Sequence, residues 1–211
     1  MRDLELVGLV CSRLCHDLIS PIGAVYNGIE VMTEDDDPDM REKAVELMTE
    51  STVLAIARLK FYRLAFGGSG GSEIGISMAE ARSALTEFLA GGRIEMNWSE
   101  RFIGPEYELP KSSTKLLLNL AVVAAEAMLR GGKLTVELSV SGDQHEFRLT
   151  GEGDRISFDD ANALAISGGS VDYETSPKLA PAVLAGQIIK EIGGNITHST
   201  GENSISLVFS S

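Results

Sequence analysis

A histidine and an aspartate stand side by side at His16-Asp17, within the stretch LCHDLISPIGAV that runs from Leu14 to Val25. A neutral imidazole is a nucleophile. A neighbouring carboxylate can hydrogen-bond one ring nitrogen, hold a single tautomer and leave the other nitrogen free to attack. Ser20-Pro21 follows closely. Proline has no N–H, so Pro21 removes the helical hydrogen bond to the Asp17 carbonyl and is expected to kink the chain just beyond the histidine. Cys11 and Cys15 precede it on the same segment. Cys-x3-Cys-His is one residue too long for haem attachment, and His145 and His198 are far away in sequence. The cysteines therefore read as small residues on a buried helix face, not as metal ligands.

A nucleophile of this kind needs a helix to carry it. Leu4, Val7, Cys11, Leu14, Leu18, Val25, Ile29 and Met32 recur at spacings of three, four or seven. That is a helical stripe of about eight turns, roughly 45 Å long. With Leu14 and Leu18 as core, His16 lies roughly 160–200° away around the helix and faces outward. Its neighbours on that side, Ser12, Arg13, Ser20, Gly23 and Asn27, are mostly small or polar. They leave room for a macromolecule to reach the imidazole, and these five are the expected partner-contacting residues. The acid-rich turn Thr33 to Asp39 ends the helix, and its carboxylates suit the N-terminus of the next one, from about Met40 to Phe66. The apolar side of that helix carries Ala44, Leu47, Met48, Ser51, Leu54, Ala55, Phe61 and Tyr62. Two helices cannot cover both stripes, so a homodimer that closes a four-helix bundle is expected.

The run FGGSGGS, Phe66 to Ser72, reads as a flexible break. It divides the chain into a helical hairpin over 1–66, a Gly/Ser linker over 67–72 and an α/β sandwich over 73–211. In the last part Ser77 caps a helix through Leu89, Arg93 to Trp98 is strand-like, and Lys111 to Arg130 is a long helix ending at Gly131-Gly132. KLTVELSV and EFRLTG flank the turn SGDQ as a hairpin, Ser176-Pro177 opens a helix that stops at Gly193-Gly194, and NITHST and SISLVF close a hairpin around GEN. The order implies a mostly antiparallel sheet covered on one face by helices.

Composition narrows the classes. Apolar residues make up 44% of the 211, enough for a core, and the net charge of −13 is offset by no basic cluster. Nucleic acid and anionic membranes are poor partners for such a surface. No apolar run approaches a membrane span and the N-terminus MRDLELVGLV has no basic signal region, so a cytoplasmic protein is expected.

His16-Asp17-Leu18-Ile19-Ser20-Pro21-Ile22 resembles the phospho-acceptor box of two-component histidine kinases, in which the histidine is followed by an acid, Leu, a variable residue, Ser or Thr, Pro and an aliphatic. The layout of hairpin, linker and α/β domain is similar over essentially the whole chain. Within the second domain, LLLNLAVVAAEA (Leu116 to Ala127) resembles the first nucleotide box through Asn119, Leu120 and Ala124, but Val123 replaces the asparagine that helps hold Mg²⁺. LTGEGDRI (Leu149 to Ile156) resembles the second, with Gly151 where the adenine-reading aspartate belongs and Arg155 in place of its second glycine. LAPA (Leu179 to Ala182) stands where the glycine-rich third box would lie. The frame of each box survives without its ligands. This combination is similar to the dimeric ChpT-type histidine phosphotransferases, which pair the kinase hairpin with a degenerate ATP-binding domain.

The resemblance implies a phosphotransferase that shuttles a phosphoryl group through His16 between receiver aspartates, from a hybrid histidine kinase to response regulators, without ATP. Asp17 would orient the imidazole and Arg13 help hold phosphoryl oxygens. No cofactor would be bound by this chain, and Mg²⁺ would come with the receiver. The alternatives are an ATP-dependent histidine kinase with divergent boxes, a non-catalytic dimer that sequesters receivers, and a phosphatase in which Asp17 and Ser20 order a water.

Overall fold

The computed structural model describes residues 3–67, 75–99, 107–141, 144–171 and 176–211. Helices α1 (Asp3–Glu34) and α2 (Pro38–Ala65) form the hairpin. Asp37 caps α2, its carboxylate accepting from the Asp39 N–H while Pro38 takes the first turn, where a missing N–H costs nothing. The helices run antiparallel, since Gly28 of α1 meets Ala44 and Met48 while Asp17 meets Arg58 and Tyr62. A Cβ on Gly28 would lie 2.4 Å from Met48 Cγ, so the close approach of the two helices depends on glycine there. Of the expected linker 67–72, only Gly67 falls among the described residues.

The apolar stripe of α1 is covered only in part by this chain: Leu14 packs against the core and Leu18, Val25 and Met32 are half-buried. Leu9, Arg13, Pro21 and Gly28 are buried, and Leu4, Val7 and Ile29 of the stripe are 85%, 60% and 50% exposed. Cys11 and Cys15 are exposed free thiols on this outer side and not on a buried face. The physical reason is that α1 has two faces to satisfy. One packs on α2, and the other, with Ile22 and Tyr26 alongside the stripe, is left uncovered by this chain. On α2, Leu47 is likewise exposed, as are Val45, Val53, Ile56 and Leu59. Contrary to the reading of the sequence, α1 from Leu4 to Glu34 is by length and composition apolar enough to cross a bilayer. Its inward face, however, carries an ion pair and packs on protein.

The rest of the chain builds a mixed sheet backed by helices. A two-residue pair, β1 (Ile76–Ser77) with β3 (Glu108–Leu109), leads into α3 (Met78–Leu89), capped by Ser77. Then come β2 (Ile94–Ser99), α4 (Lys111–Ala127), β4 (Gly132–Ser141), β5 (Gln144–Glu152), α5 (Asp160–Ile166), a 3-10 turn at Pro177–Leu179, α6 (Ala180–Ile192), β6 (Asn195–Thr200) and β7 (Ser204–Ser210). The strand order is β2-β4-β5-β7-β6. All pairs are antiparallel except β2–β4, whose parallel register is reached through the α4 crossover. Gly131, at φ +85, ends the crossover so close to Arg93 that a Cβ would fall 2.2 Å from its carbonyl oxygen.

A single buried cluster runs from the hairpin into the sheet domain. Phe61, Tyr62, Leu64 and Ala65 at the end of α2 belong to it together with Leu85 of α3, the α4 leucines and Phe147, Leu149, Leu207 and Phe209 of the strands. Phe61 stacks on Phe88 at 4.1 Å and Tyr62 on Phe66 at 4.8 Å. Asn119, fully buried on α4, donates to the carbonyl of Ala65, the last residue of α2, at 3.0 Å. The end of the hairpin is thus held by both apolar packing and a directed hydrogen bond to α4.

Candidate functional site

Pro21 does not interrupt α1, which continues unbroken through it. The Asp17 carbonyl that the proline deprives of an N–H accepts instead from Arg58 Nη1 on α2. A buried carbonyl without a partner costs about 1–3 kcal/mol, so this contact lets a proline sit mid-helix beside the histidine.

His16 lies about a quarter turn around α1 from the face packed on α2. Its side chain is 60% exposed. Nδ1 is 2.8 Å from Asp17 Oδ1, and among the described residues Nε2 has no partner. The other carboxylate oxygen, Oδ2, accepts from Arg13 Nε at 2.8 Å and from the Tyr62 hydroxyl. Burial on its own would raise the Asp17 carboxyl. The Tyr62 hydrogen bond, the Arg13 charge and the hydrogen bonds from His16 and Arg13 outweigh it and hold the group below the usual carboxylate range. An ionised Asp17 can only accept, so Nδ1 carries the proton and Nε2 the lone pair. Tyr62 is pushed well above its ordinary value, first by burial, and so remains a neutral donor to Asp17.

Arg13 requires a correction. Expected among the outward partner contacts and as a ligand for phosphoryl oxygens, it is buried at 4% exposure. Its guanidinium reaches Asp17, the Tyr62 hydroxyl at 3.3 Å and Glu126 Oε1 of α4 at 2.5 Å. Burial opposes its charge, but the Glu126 charge and hydrogen bond raise it above its ordinary value, so it is a fixed cation inside the site. Buried in this way, the guanidinium is not presented to a phosphoryl group arriving from solvent. Ser12, Ser20 and Asn27 are exposed and Gly23 is half-buried, so these four stay accessible around His16.

Tyr62, Arg58 and Glu126 complete the site without having been singled out in the sequence. Tyr62 and Arg58 sit inside an amphipathic helix whose periodicity explains them already. Glu126 is the one charged residue from Leu116 to Met128, but the sequence does not say what it meets.

The positions that match kinase nucleotide boxes are filled by core. Val123 is buried at 4% exposure. Gly151 lies in β5 under Met128 and Ile205, and a Cβ there would meet Ile205 Cγ2 at 2.9 Å and Met128 Sδ at 3.0 Å. Leu179, Ala180, Pro181 and Ala182 are buried at the start of α6. At these positions no carboxylate stands at Gly151 and the start of α6 is buried. Among the described residues no cluster of His, Cys, Asp and Glu could hold a metal ion.

The chain resembles several known proteins. The family model described as Histidine phosphotransferase C-terminal domain matches residues 78–204. Protein phosphotransferase ChpT of Brucella abortus (strain 2308) is 38% identical over 153 residues, covering 72% of this chain and 70% of that protein. The 1.7 Å structure of a bacterial phosphotransferase superposes with a TM-score of 0.85 at 31% identity, over 99% of this chain and 97% of that one. The fold is also shared with the histidine kinase ThkA, solved in complex with the response regulator protein TrrA. That likeness has a TM-score of 0.51 at 18% identity, over 98% of this chain and 62% of that one. On these matches, the chain belongs to the histidine phosphotransferase family.

Proposed function

We propose that His16 is the phospho-acceptor and that the protein passes phosphoryl groups between aspartates of response-regulator receiver domains. The observation that carries this reading is the pairing of His16 Nδ1 with an ionised Asp17 while Nε2 stands free on an exposed side chain. The Nε2 lone pair attacks the phosphorus of a receiver phospho-aspartate. The N–P bond forms as the acyl P–O bond breaks, and the aspartate leaves as carboxylate. The ring then carries positive charge, with Nδ1 still protonated against Asp17, whose negative charge opposes it. Attack by a second receiver's aspartate reverses these steps. The chain contributes mainly position and electrostatics, and Mg²⁺ is supplied by the receiver.

Ser12, Ser20, Gly23 and Asn27 form the approach for the receiver. An open groove of about 800 Å³ between α2 and α3 is lined by Val53, Leu54, Ala57 and Arg58 of α2 and by Phe88 and Leu89 of α3. It reaches the arginine that holds the Asp17 carbonyl. This supports a docking role for residues 73–211 next to the hairpin over 1–66. The closed nucleotide positions support transfer without ATP. The uncovered apolar residues of α1 and α2 support a homodimer in which two hairpins form a four-helix bundle.

The test mixes a phosphorylated receiver, cleared of ATP, with this protein and follows the label. Acid-labile label on the protein, lost in His16→Ala and absent with ATP alone, is the expected result. Label from ATP alone would make the protein a kinase. Label on His16→Ala would move the acceptor elsewhere. A panel of receivers that bind but never transfer would leave a sequestering dimer.

A further inference from the structure

We infer that Glu126 is a positioning residue for His16, acting across the molecule through Arg13 and Asp17. The inference rests on His16 being the phospho-acceptor. Arg13 has two nitrogens of one edge in use: Nε holds Asp17 Oδ2 and Nη2 holds Glu126 Oε1. Nη1 is buried and has no partner. Guanidinium and carboxylate prefer to meet through two parallel hydrogen bonds. If Nη2 were released, Arg13 could take both oxygens of Asp17 in that way, and Oδ1 would turn from His16 Nδ1 toward the guanidinium. Glu126 prevents this by occupying Nη2. Asp17 is then divided, one oxygen for Arg13 and Tyr62 and the other for the imidazole.

The geometry has a functional consequence for the second half of the chain. Glu126 stands on α4, the helix that also carries Asn119 and the closed remnant of the first nucleotide box. Its carboxylate is 35% exposed, whereas the Arg13 side chain it holds is 5% exposed. A surface pair that merely stabilised the fold would leave the imidazole untouched. This one sets which oxygen of Asp17 is available to His16. The sheet domain therefore conditions the nucleophile itself, in addition to any surface it offers a partner.

The test uses the full-length protein with Glu126→Gln, Glu126→Ala and Glu126→Asp. Two quantities are read: the His16 tautomer, from nitrogen chemical shifts of labelled imidazole, and single-turnover transfer from a phosphorylated receiver at several receiver concentrations. In Glu126→Gln and Glu126→Ala the Nδ1–H tautomer should lose population. The maximal transfer rate should fall about tenfold with the half-saturating receiver concentration unchanged, the size typical of losing a residue that orients a reacting group through another. Glu126→Asp should recover part of both. In an Asp17→Asn background Glu126→Gln should cause no further loss, because the path through Asp17 is already cut. Parent-like tautomer and rate in both Gln and Ala variants would overturn the inference. So would an equal, additive loss in the Asp17→Asn background, which would mean that Glu126 acts on stability or on the receiver. If His16→Ala still takes up label, the phospho-acceptor reading fails, whereas a silent His16→Ala beside normal Glu126 variants removes only the inference.

Discussion

Asp17→Asn is the perturbation that asks most of this site. The carboxylate accepts from His16, Arg13 and Tyr62, and the contact with Arg13 is an ion pair. An amide offers one oxygen and an NH2, so it cannot accept from all three: with the oxygen toward Arg13 and Tyr62, its NH2 donates to His16 Nδ1 and favours the Nε2–H tautomer, which has no lone pair at Nε2. Breaking a buried ion pair costs about 3–5 kcal/mol. Here Glu126 still compensates Arg13, and the amide oxygen can still accept from Tyr62 and Arg13, so a loss of about 2–3 kcal/mol in stability is expected. With the oxygen taken inward, the NH2 points at His16 Nδ1. The free tautomer is no longer held, and the imidazolium formed on phosphorylation loses its counter-charge. One charge-assisted hydrogen bond is worth about 1.5–3 kcal/mol, which corresponds to a fall of roughly 10- to 100-fold in transfer rate. Urea unfolding measures the first quantity, and rapid-quench transfer from a phosphorylated receiver, well below the melting temperature, measures the second. Transfer within about twofold of the parent would refute the argument that Asp17 prepares the imidazole, whatever happened to stability.

Other expectations follow from the same contacts. Arg58→Ala should destabilise the protein by about 1.5–3 kcal/mol because it leaves the Asp17 carbonyl unpaired, and adding Pro21→Ala, which restores an N–H to that carbonyl, should recover much of the loss in a double-mutant cycle. The depressed Asp17 carboxyl contributes stability that is present above the unfolded carboxylate value of about 4 and is lost as pH falls through its lower folded value. The stability gap between parent and Asp17→Asn should therefore narrow below about pH 4 in acid titrations followed by circular dichroism. Gly151→Asp, which restores the adenine-reading residue, should destabilise by about 1–3 kcal/mol because Ile205 and Met128 occupy its space, and calorimetry should detect no ATP binding. Val7→Glu combined with Ile29→Glu places charge on the uncovered side of α1 and should yield monomers in sedimentation, at a protein concentration where the parent is dimeric.

Local signals made most elements readable. The acid-rich turn with Pro38, the Ser77 cap and the glycines after α4 and α6 each have a chemical reason to lie where chains stop and start. The parallel pairing of β2 with β4 was less accessible, because RIEMNW reads as a strand without naming its neighbour. Which side of α1 meets α2 was legible only in part. A stripe of Leu4, Val7, Cys11 and Ile29 says that a face is apolar, not what covers it, and the side packed on α2 contains Arg13, a residue that periodicity assigns to water. The His16–Asp17 pair was legible because its members are adjacent. Tyr62 and Glu126 were not, since they meet Arg13 across 49 and 113 residues of sequence.

The shared core of hairpin and sheet domain bears on the speed of encounter. With Phe61, Tyr62, Leu64 and Ala65 packed into the same interior as α4, and Asn119 tying the end of α2, the angle between the nucleophile and the second half of the chain is set before any partner arrives. A receiver then meets a preassembled template, and little ordering entropy is spent on forming the complex. Association of this kind is governed by collision and orientation, with no wait for a rare open state, so turnover in the relay can be paced by how quickly the departing receiver dissociates.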